Sequence, residues 1–391
     1  MIIPKLAFRN MVGAGVKTWL NAGVLSMAFV VIIWSQGLYQ GMDIEVSRTM
    51  IDAYYGGGQL WAEGYDPFDP FTLQDSHRPL GTSLKTLAEQ GQATPLLFVQ
   101  GTIYPNGRLL PTLLKGIDPE QKLLTIPSSV LKSGDYDIPA LVGSRMAAAS
   151  GLKKGDIVTV RWRDARGTFD AKDLEIVEVM TTKVQAIDSG QIWLPLQTLQ
   201  TMAAMPGEAT IVVTAKGSGA PPAFAGWAFR DLNFLLKDVK DLVRGKSVGA
   251  SIIYSLLLFL ALLAIFNTQL LSIWRRRKEI GTMMAMGLTR WRVIGLFTWE
   301  GAMSGVLAAL IGAIYGIPLL AYTAAKGFGF GEGQMDKFGF ALGDRLYPTY
   351  SAALVLGTTL LVFIAATVVS FIPTRKIAKL KPTEALRGKV T

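Results

Sequence analysis

The sequence predicts a membrane protein with four transmembrane α-helices and one large α+β extracytoplasmic domain between the first and second spans. Half of the 391 residues are hydrophobic, and they cluster in four runs that are each long enough to cross about 30 Å of hydrocarbon. The polar stretch between the first two runs contains several strand-like patterns. The formal net charge of +10 is concentrated beside the apolar runs, as the positive-inside rule expects of cytoplasmic segments.

Composition excludes several classes of function. The chain has no cysteine and a single histidine, His77, which excludes disulfides, thiolate metal sites and histidine-cluster metal sites. Basic residues outnumber acidic ones in residues 1–19, 274–292 and 374–391, all of which border apolar runs. This placement indicates cytoplasmic loops at a membrane, so nucleic acid is not expected as a partner.

The first 42 residues predict an amphipathic helix followed by the first transmembrane helix. Residues 1–19 place Lys5, Arg9 and Lys17 among apolar side chains, a pattern typical of an amphipathic helix on the cytoplasmic membrane surface. A disordered start is the alternative. Residues 20–42 form the first predicted span. A cleaved signal peptide competes with this interpretation, but the apolar run is longer than a typical signal core and lacks a small-residue cleavage site after it.

Residues 43–246 are polar and rich in turn signals, and they predict a periplasmic α+β domain with its own core. Helical patterns occur at 143–151 and 196–205, and an amphipathic pattern at 229–246 predicts a stalk helix that leads back to the membrane. Strand patterns occur at 96–103, 123–126, 157–162, 174–179, 191–194 and 210–214.

Three further spans are predicted at residues 248–273, 293–322 and 350–373. The loop 274–292 and the tail 374–391 are strongly basic, whereas the loop 323–349 balances acids and bases. The positive-inside rule therefore places both termini and the loop 274–292 in the cytoplasm, and the loop 323–349 outside.

The sequence offers no catalytic constellation, and no catalytic residue, cofactor-binding residue or metal ligand is expected in this chain. The phosphate-binding pattern GxxxxGK[ST] does not occur, so nucleotide hydrolysis by these residues is not expected. Asp66, Asp69 and Asp75 lack the central glycine and the terminal acid of a calcium loop.

Two intramembrane polar residues, Asn267 and Glu300, are candidates for function, because polar groups are costly in a bilayer. Glu300 lies near the start of its span and could instead pair with a local arginine. Asn267 could form a hydrogen bond to another helix or cap a kink. Gly301, Gly305, Gly312 and Gly316 predict close helix packing, either within the chain or between two copies.

The stretch RRRKEIGTMMAMGLTRWRVI at 275–294 is basic and amphipathic, and residues 282–292 predict a short helix with Met283, Met286, Leu288 and Trp291 among its apolar positions. Such a helix could lie free on the inner membrane surface or dock into a partner.

This stretch resembles the signature of the FtsX-type permeases of the MacB/Lol (type VII) class of ABC transporters. The matching residues are Arg276, Lys278, Glu279, Ile280 and Gly281, followed by Met284, Ala285, Met286 and Gly287. The family's tail pattern is matched by Pro373, Arg375, Ala378, Pro382, Glu384, Ala385, Leu386 and Arg387. Residues 143–160 and 191–207 are similar to the family's outer domain, closest in character to the lipoprotein-releasing permeases LolC and LolE.

The resemblance implies a transporter permease subunit that is not itself an enzyme, in a bacterial inner membrane, coupled to a cytoplasmic ABC ATPase dimer that binds ATP and magnesium. It also implies a second permease chain, identical or homologous, membrane lipids, and a periplasmic adaptor or lipoprotein cargo. The implied coupling residues are Glu279, Gly281, Met283, Met284, Met286, Gly287, Leu288, Arg290 and Trp291. The tail residues singled out are Arg375, Pro382, Glu384 and Leu386.

Two functions follow from the resemblance. The first is lipoprotein release from the inner membrane or related periplasmic efflux, in which ATP hydrolysis inside drives mechanical work outside. The alternative is an FtsX-like mechanotransmitter that regulates a cell-wall hydrolase or a signalling partner. The size of the predicted outer domain favours the first.

Overall fold

The computed structural model describes residues 16–132, 138–182, 184–329 and 345–379. They form two compact units. The membrane unit contains residues 16–43, 242–329 and 345–379, and the outer unit contains residues 44–241.

Four of the helices are long and apolar enough to cross a membrane: Trp19–Tyr55, Lys237–Arg275, Arg290–Lys326 and Ala352–Ile377. They match the four predicted spans in number and order, although most of the helices extend beyond the predicted bounds. The helices of the described residues are α1 (Val16–Met50), α2 (Thr82–Glu89), α3 (Ser144–Ser150), α4 (Gln185–Asp188), α5 (Leu196–Met202), α6 (Leu232–Leu235), α7 (Lys237–Arg275), α8 (Arg277–Ala285), α9 (Arg290–Lys326) and α10 (Ala352–Thr374).

The predicted cytoplasmic helix 1–19 lies largely outside the described residues, and α1 already includes residues 16–19. At the other end of the chain, α10 passes into a 3₁₀ turn, Arg375–Lys379. The predicted loop 323–349 begins later than expected because α9 continues to Lys326 and ends at Gly327, which has a positive φ.

The membrane unit packs through small residues on α9. A Cβ at Gly301 would collide with the side chain of Ser370 on α10, and one at Gly305 would lie 3.3 Å from Cβ of Ala366. Further along α9, a Cβ at Gly316 would lie 2.8 Å from a methyl group of Val30 on α1. The glycines of α9 therefore serve packing within the chain, against two different helices.

The outer unit is built on a nine-stranded sheet with the order β11-β1-β10-β3-β4-β8-β5-β7-β6. An additional pairing of β3 with β6 closes the last six of these strands into a barrel. The strands are β1 (Gln59–Ala62), β2 (Arg78–Pro79), β3 (Ala93–Ile103), β4 (Leu110–Ile117), β5 (Pro139–Gly143), β6 (Ile157–Arg163), β7 (Phe169–Met180), β8 (Gln191–Pro195), β9 (Glu208–Ala209), β10 (Ile211–Thr214) and β11 (Trp227–Arg230), with a small pair β12 (Phe328–Gly329) and β13 (Arg345–Leu346) in the membrane unit.

Alternation along the barrel strands produces two cores. On β3, Leu97 and Val99 belong to one core with α3 and α5, whereas Leu96 and Phe98 belong to a second core on the other face. Strand β6 follows the same rule, since Val158, Val160 and Trp162 are buried while their neighbours are exposed. Alternation explains why the sequence predicts β6 correctly, whereas β3 is a mostly apolar run that is buried on both faces over its first seven residues.

The predicted amphipathic helix 229–246 is wrong at its start. Trp227–Arg230 is strand β11, which pairs antiparallel with β1 in the register Leu60↔Phe229. The Asp231 side chain then accepts a hydrogen bond from Phe234 N–H, and this N-cap begins α6. From Lys237 onward, α7 is continuous to Arg275.

The predicted strand at 123–126 is also wrong, although Leu124 and Ile126 are buried in the second core. Gln121 binds this segment locally: its Nε2 donates to the carbonyl oxygens of Leu124 and Ile126, at 3.2 and 3.3 Å. The segment is apolar because it is buried, but it pairs with no neighbouring strand, and this explains the error. The prediction also missed β4, which contains Pro111, and β5, which is only five residues long and begins at Pro139.

Candidate functional site

The segment 274–292 is a short helix and a turn, and not the single helix 282–292 that the sequence predicts. Helix α8 ends at Ala285, and α9 begins at Arg290. The reason is Gly287, whose φ of 97° ends the first helix. Leu288 N–H donates to Met283 O and Gly287 N–H donates to Met284 O, both at 3.1 Å, which is the hydrogen-bond pattern of a Schellman cap.

Arg276 ties this segment to the transmembrane helix α9. Its Nη1 donates to both carboxylate oxygens of Glu300, at 2.9 and 3.1 Å, and its Nε donates to Glu279 at 2.7 Å. The guanidinium also lies 4.9 Å from the ring centroid of Phe297. Glu300 is buried, so the pair satisfies a charge that would otherwise be costly. The structure thus supports the alternative in which Glu300 pairs with a local arginine.

One side of the segment faces inward. Ile280 and Gly281 are buried, and Met283 and Met284 pack against a core that contains Ile273, Val293, Phe297 and Ile377. Both methionines were predicted to contact a partner. The structure places both side chains, half-buried, in the contact that holds α8 against α9 and the start of the tail, and their contact with a partner stays a prediction.

Three apolar side chains face outward. Met286 is 71% exposed, Leu288 is 37% exposed and Trp291 is 72% exposed. Gly287 and Arg290 are exposed beside them, and Glu279 is exposed while paired with Arg276. We call Met286, Leu288 and Trp291 the apolar patch. Exposed apolar residues next to charged ones typically mark an interaction surface.

Asn267 does not join this site, because its side chain lies on the exposed side of α7. The polar contacts come from its neighbours. Thr268 accepts a hydrogen bond from Asn21 of α1, and Gln269 is buried close to the position of Gly301. Sequence reasoning missed Gln269 and the pairing role of Arg276. The spacing of Gln269 and Arg276, seven residues apart on one helical face, is the signal that could have revealed them.

The tail contributes Ile377, which is fully buried against α8 and α9. The guanidinium of Arg375 is exposed and lies 5.7 Å from the ring centroid of Phe371. The other tail residues predicted from the sequence, Pro382, Glu384 and Leu386, lie outside the described residues.

Comparison with known proteins identifies the last three membrane helices as a family domain. Residues 251–382 match the FtsX-like permease C-terminal domain. An uncharacterised ABC transporter permease of Methanocaldococcus jannaschii is 30% identical over 131 residues, which cover 34% of this chain and 30% of that protein. The macrolide export ATP-binding/permease protein MacB of Sodalis glossinidius is 27% identical over 215 residues, covering 51% of this chain and 30% of that protein. The chain thus spans less than a third of the length of these curated relatives.

Among solved structures, the periplasmic region of MacB from Actinobacillus actinomycetemcomitans aligns with 47% of this chain and 92% of its own, at 12% identity and a TM-score of 0.31. The FtsX-like permease C-terminal domain, residues 251–382, contains α8, the apolar patch and the Arg276–Glu300 pair. Residues 251–382 are thus an FtsX-like permease C-terminal domain, and the sequence relatives of the chain are ABC transporter permeases that include MacB proteins.

Proposed function

We propose that the chain is the permease subunit of an ABC transporter and that the apolar patch docks a cytoplasmic ATPase. The observation that supports this most directly is the exposure of Met286 and Trp291 at a turn that the Arg276–Glu300 pair holds against a transmembrane helix. A docked partner would cover the patch. Movement of that partner would be transmitted to α9 through the ion pair and to α7 through Arg276.

In this proposal ATP and magnesium are bound by the ATPase, because these 391 residues contain no phosphate-binding pattern. The permease couples hydrolysis inside to work on a cargo outside. The name of the relative MacB, a macrolide export protein, supports an export role. We propose an inner-membrane complex with two permease chains, and we propose lipoprotein release or related periplasmic efflux as its work.

The test is docking of the ATPase after Met286→Asp and Leu288→Asp substitutions. A carboxylate placed in an apolar contact leaves an unpaired charge that is costly to bury. We expect each variant to reach the membrane normally but to recover at least about tenfold less ATPase on co-purification, as expected for a loss of about 1.4 kcal/mol or more.

The matched control is Ile157→Asp, which makes the same chemical change at a residue of the outer unit that is 68% exposed. It should leave the recovery of the ATPase unchanged. Unchanged recovery with Met286→Asp and Leu288→Asp would contradict docking at the patch. Absence of any ATPase with the natural chain would contradict the proposed function as a whole.

The cargo is identified by co-purification of the complex from native membranes. If the complex releases lipoproteins, depletion of the chain should leave lipoproteins in the inner membrane. Normal lipoprotein sorting together with binding of a cell-wall hydrolase by the complex would instead indicate the mechanotransmitter function.

A further inference from the structure

The outer unit contains an open cleft of about 830 Å³ on the outside of its barrel. Its floor is the outward row of β3, where Gln100 and Thr102 follow Phe98, a residue of the second core that is 2% exposed. Its wall is the loop 65–74, which begins with Tyr65 and Asp66. The volume lies within the range of small-molecule sites in proteins.

The two ends of the cleft differ in chemistry. At one end Phe98 meets Tyr65, with ring centroids 6.0 Å apart, beside Leu73 and Leu113. At the other end lie Arg161 and Arg163, both exposed on β6. The row from Phe98 to Thr102 spans about 13 Å, since strand residues rise by about 3.3 Å each. Thr102 pairs with Arg161 across the two strands, so the floor connects an apolar end to a cationic end.

The cationic end is available to a ligand. The Arg161 guanidinium lies 4.5 Å from the ring centroid of Phe169, which is itself 61% exposed. Arg163 donates to the carbonyl oxygen of Gly167 at 3.2 Å and to the side chain of Gln74 at 3.3 Å. In the part of the chain that the structure describes, neither arginine has a carboxylate within 4 Å.

The aspartates of the cleft wall do not neutralise these arginines. The Asp66 carboxylate accepts a hydrogen bond from Phe68 N–H, and the Asp69 carboxylate accepts one from Phe71 N–H, both at 2.9 Å. Each aspartate thus caps a turn of its own loop. The uncompensated guanidinium groups remain on the β6 side, where their planar donors suit a carboxylate or a phosphate.

We propose that this cleft binds an anionic amphiphile, with its carboxylate or phosphate at Arg161 and Arg163 and its hydrocarbon portion against the half-buried Tyr65 and Leu113. The site lies entirely within the outer unit, and its occupancy does not depend on an ATPase. It therefore goes beyond the proposed permease function and can fail or succeed separately from it.

The experiment uses the full chain in phosphatidylcholine nanodiscs and a dodecyl phosphate probe that carries a photoreactive diazirine in its chain. Mass spectrometry of the cross-linked peptides separates binding in the cleft from partition into the bilayer. We expect labelling of peptides that contain Tyr65 and Leu113. Unlabelled dodecyl phosphate should compete for this labelling, and ethyl phosphate and dodecyl maltoside should each compete at least about tenfold more weakly.

Arg161→Gln and Arg163→Gln should each reduce labelling of the cleft about tenfold, as expected for the loss of a charge-assisted hydrogen bond. The matched control is Arg166→Gln, which removes the same charge from an exposed position on the same hairpin, outside the cleft. All three positions are at the surface, so unchanged thermal unfolding should show that the variants are folded.

Three results would overturn the proposal. Labelling confined to the membrane helices would show that the probe does not enter the cleft. An equal loss of labelling in Arg166→Gln would show that general attraction between charges causes the effect. Ethyl phosphate or dodecyl maltoside could also compete as strongly as dodecyl phosphate. That result would mean that one end of the cleft alone accounts for binding.

Discussion

Lys115 is a charged residue placed in the second core of the outer unit, and it is 2% exposed. On β4 it lies between Phe98 of β3 and Trp193 of β8, its direct partners across the two strands. Its Nζ lies 4.5 to 5.1 Å from the ring centroids of Tyr54, Phe98 and Trp193, and it donates to Tyr54 Oη at 3.3 Å. Aromatic faces replace part of the lost hydration.

Burial lowers the pKa of Lys115 to about 7, whereas an unfolded lysine has a pKa of about 10.4. Between these values the unfolded chain binds more protons than the folded one, so the stability of the outer unit rises with pH. We expect its free energy of unfolding to increase from pH 7 to pH 9.5, with a slope approaching about 1.4 kcal/mol per pH unit. Burial raises the pKa of Tyr54, so this group stays neutral across that window.

The measurement is denaturant unfolding of the full chain followed by tryptophan fluorescence at several pH values. Lys115→Met should remove the slope, because the group that titrates is gone, while its aliphatic portion is retained. Lys122→Met, at an exposed position of the same unit, should preserve it. A slope that survives in Lys115→Met would assign the pH dependence to another group.

At the scale of elements, helix α9 decides how the membrane unit is assembled. Its start is set by the turn at Gly287, which separates it from α8. In its first half, Gly301 and Gly305 of α9 pack against α10. In its second half, Gly312 and Gly316 of α9 pack against α1. One helix therefore connects the segment 274–292 to two other spans.

We expect Gly301→Val to destabilise the membrane unit by about 1–3 kcal/mol, the usual cost of overpacking. The added side chain would collide with Ser370 and approach Nε2 of Gln269 at 2.9 Å, which pushes α10 and α7 away from α9. The measurement is thermal unfolding of the purified chain in detergent.

Gly357→Val on α10 is the control, since no atom lies within 4 Å of the position that its Cβ would occupy. It should leave the melting temperature nearly unchanged. A similar loss of stability in both variants would show that valine in a membrane helix is the cause, and not the contact between α9 and α10.

At the scale of the whole molecule, charge placement specifies which side of the membrane each segment occupies. Basic side chains gather in the segment between α7 and α9 and in the tail, so these belong in the cytoplasm and the outer unit belongs outside. Four spanning helices in the described part of the chain are consistent with this arrangement.

The natural chain lacks cysteine, which makes labelling with a membrane-impermeant maleimide a direct test of topology. A Lys172→Cys variant, exposed on β7 of the outer unit, should react in intact cells. A Thr282→Cys variant, exposed on α8, should react only after permeabilisation. Reaction of both variants in intact cells, or of Thr282→Cys alone, would contradict the topology.

Prediction from the sequence succeeded where one local pattern specifies one structure. Long apolar runs predicted all four spans because a bilayer requires a helix of that length. Alternation predicted β6, whose side chains face a core and solvent in turn. Prediction failed at β11, because the apolar residues of Trp227–Arg230 fit either a helix face or a strand, and pairing with the distant β1 decides between them.

In the candidate site, too, local patterns predicted some features and only tertiary contacts decided the others. The sequence by itself determined that 274–292 is basic and amphipathic, because charge and hydropathy act on each residue independently of the fold. Only the tertiary structure decided which apolar residues face outward, since the cap at Gly287 turns Met286 and Leu288 away from the core that holds Met283. It likewise decided the Arg276–Glu300 pair and the cleft at Arg161, because both depend on contacts between different elements of the fold.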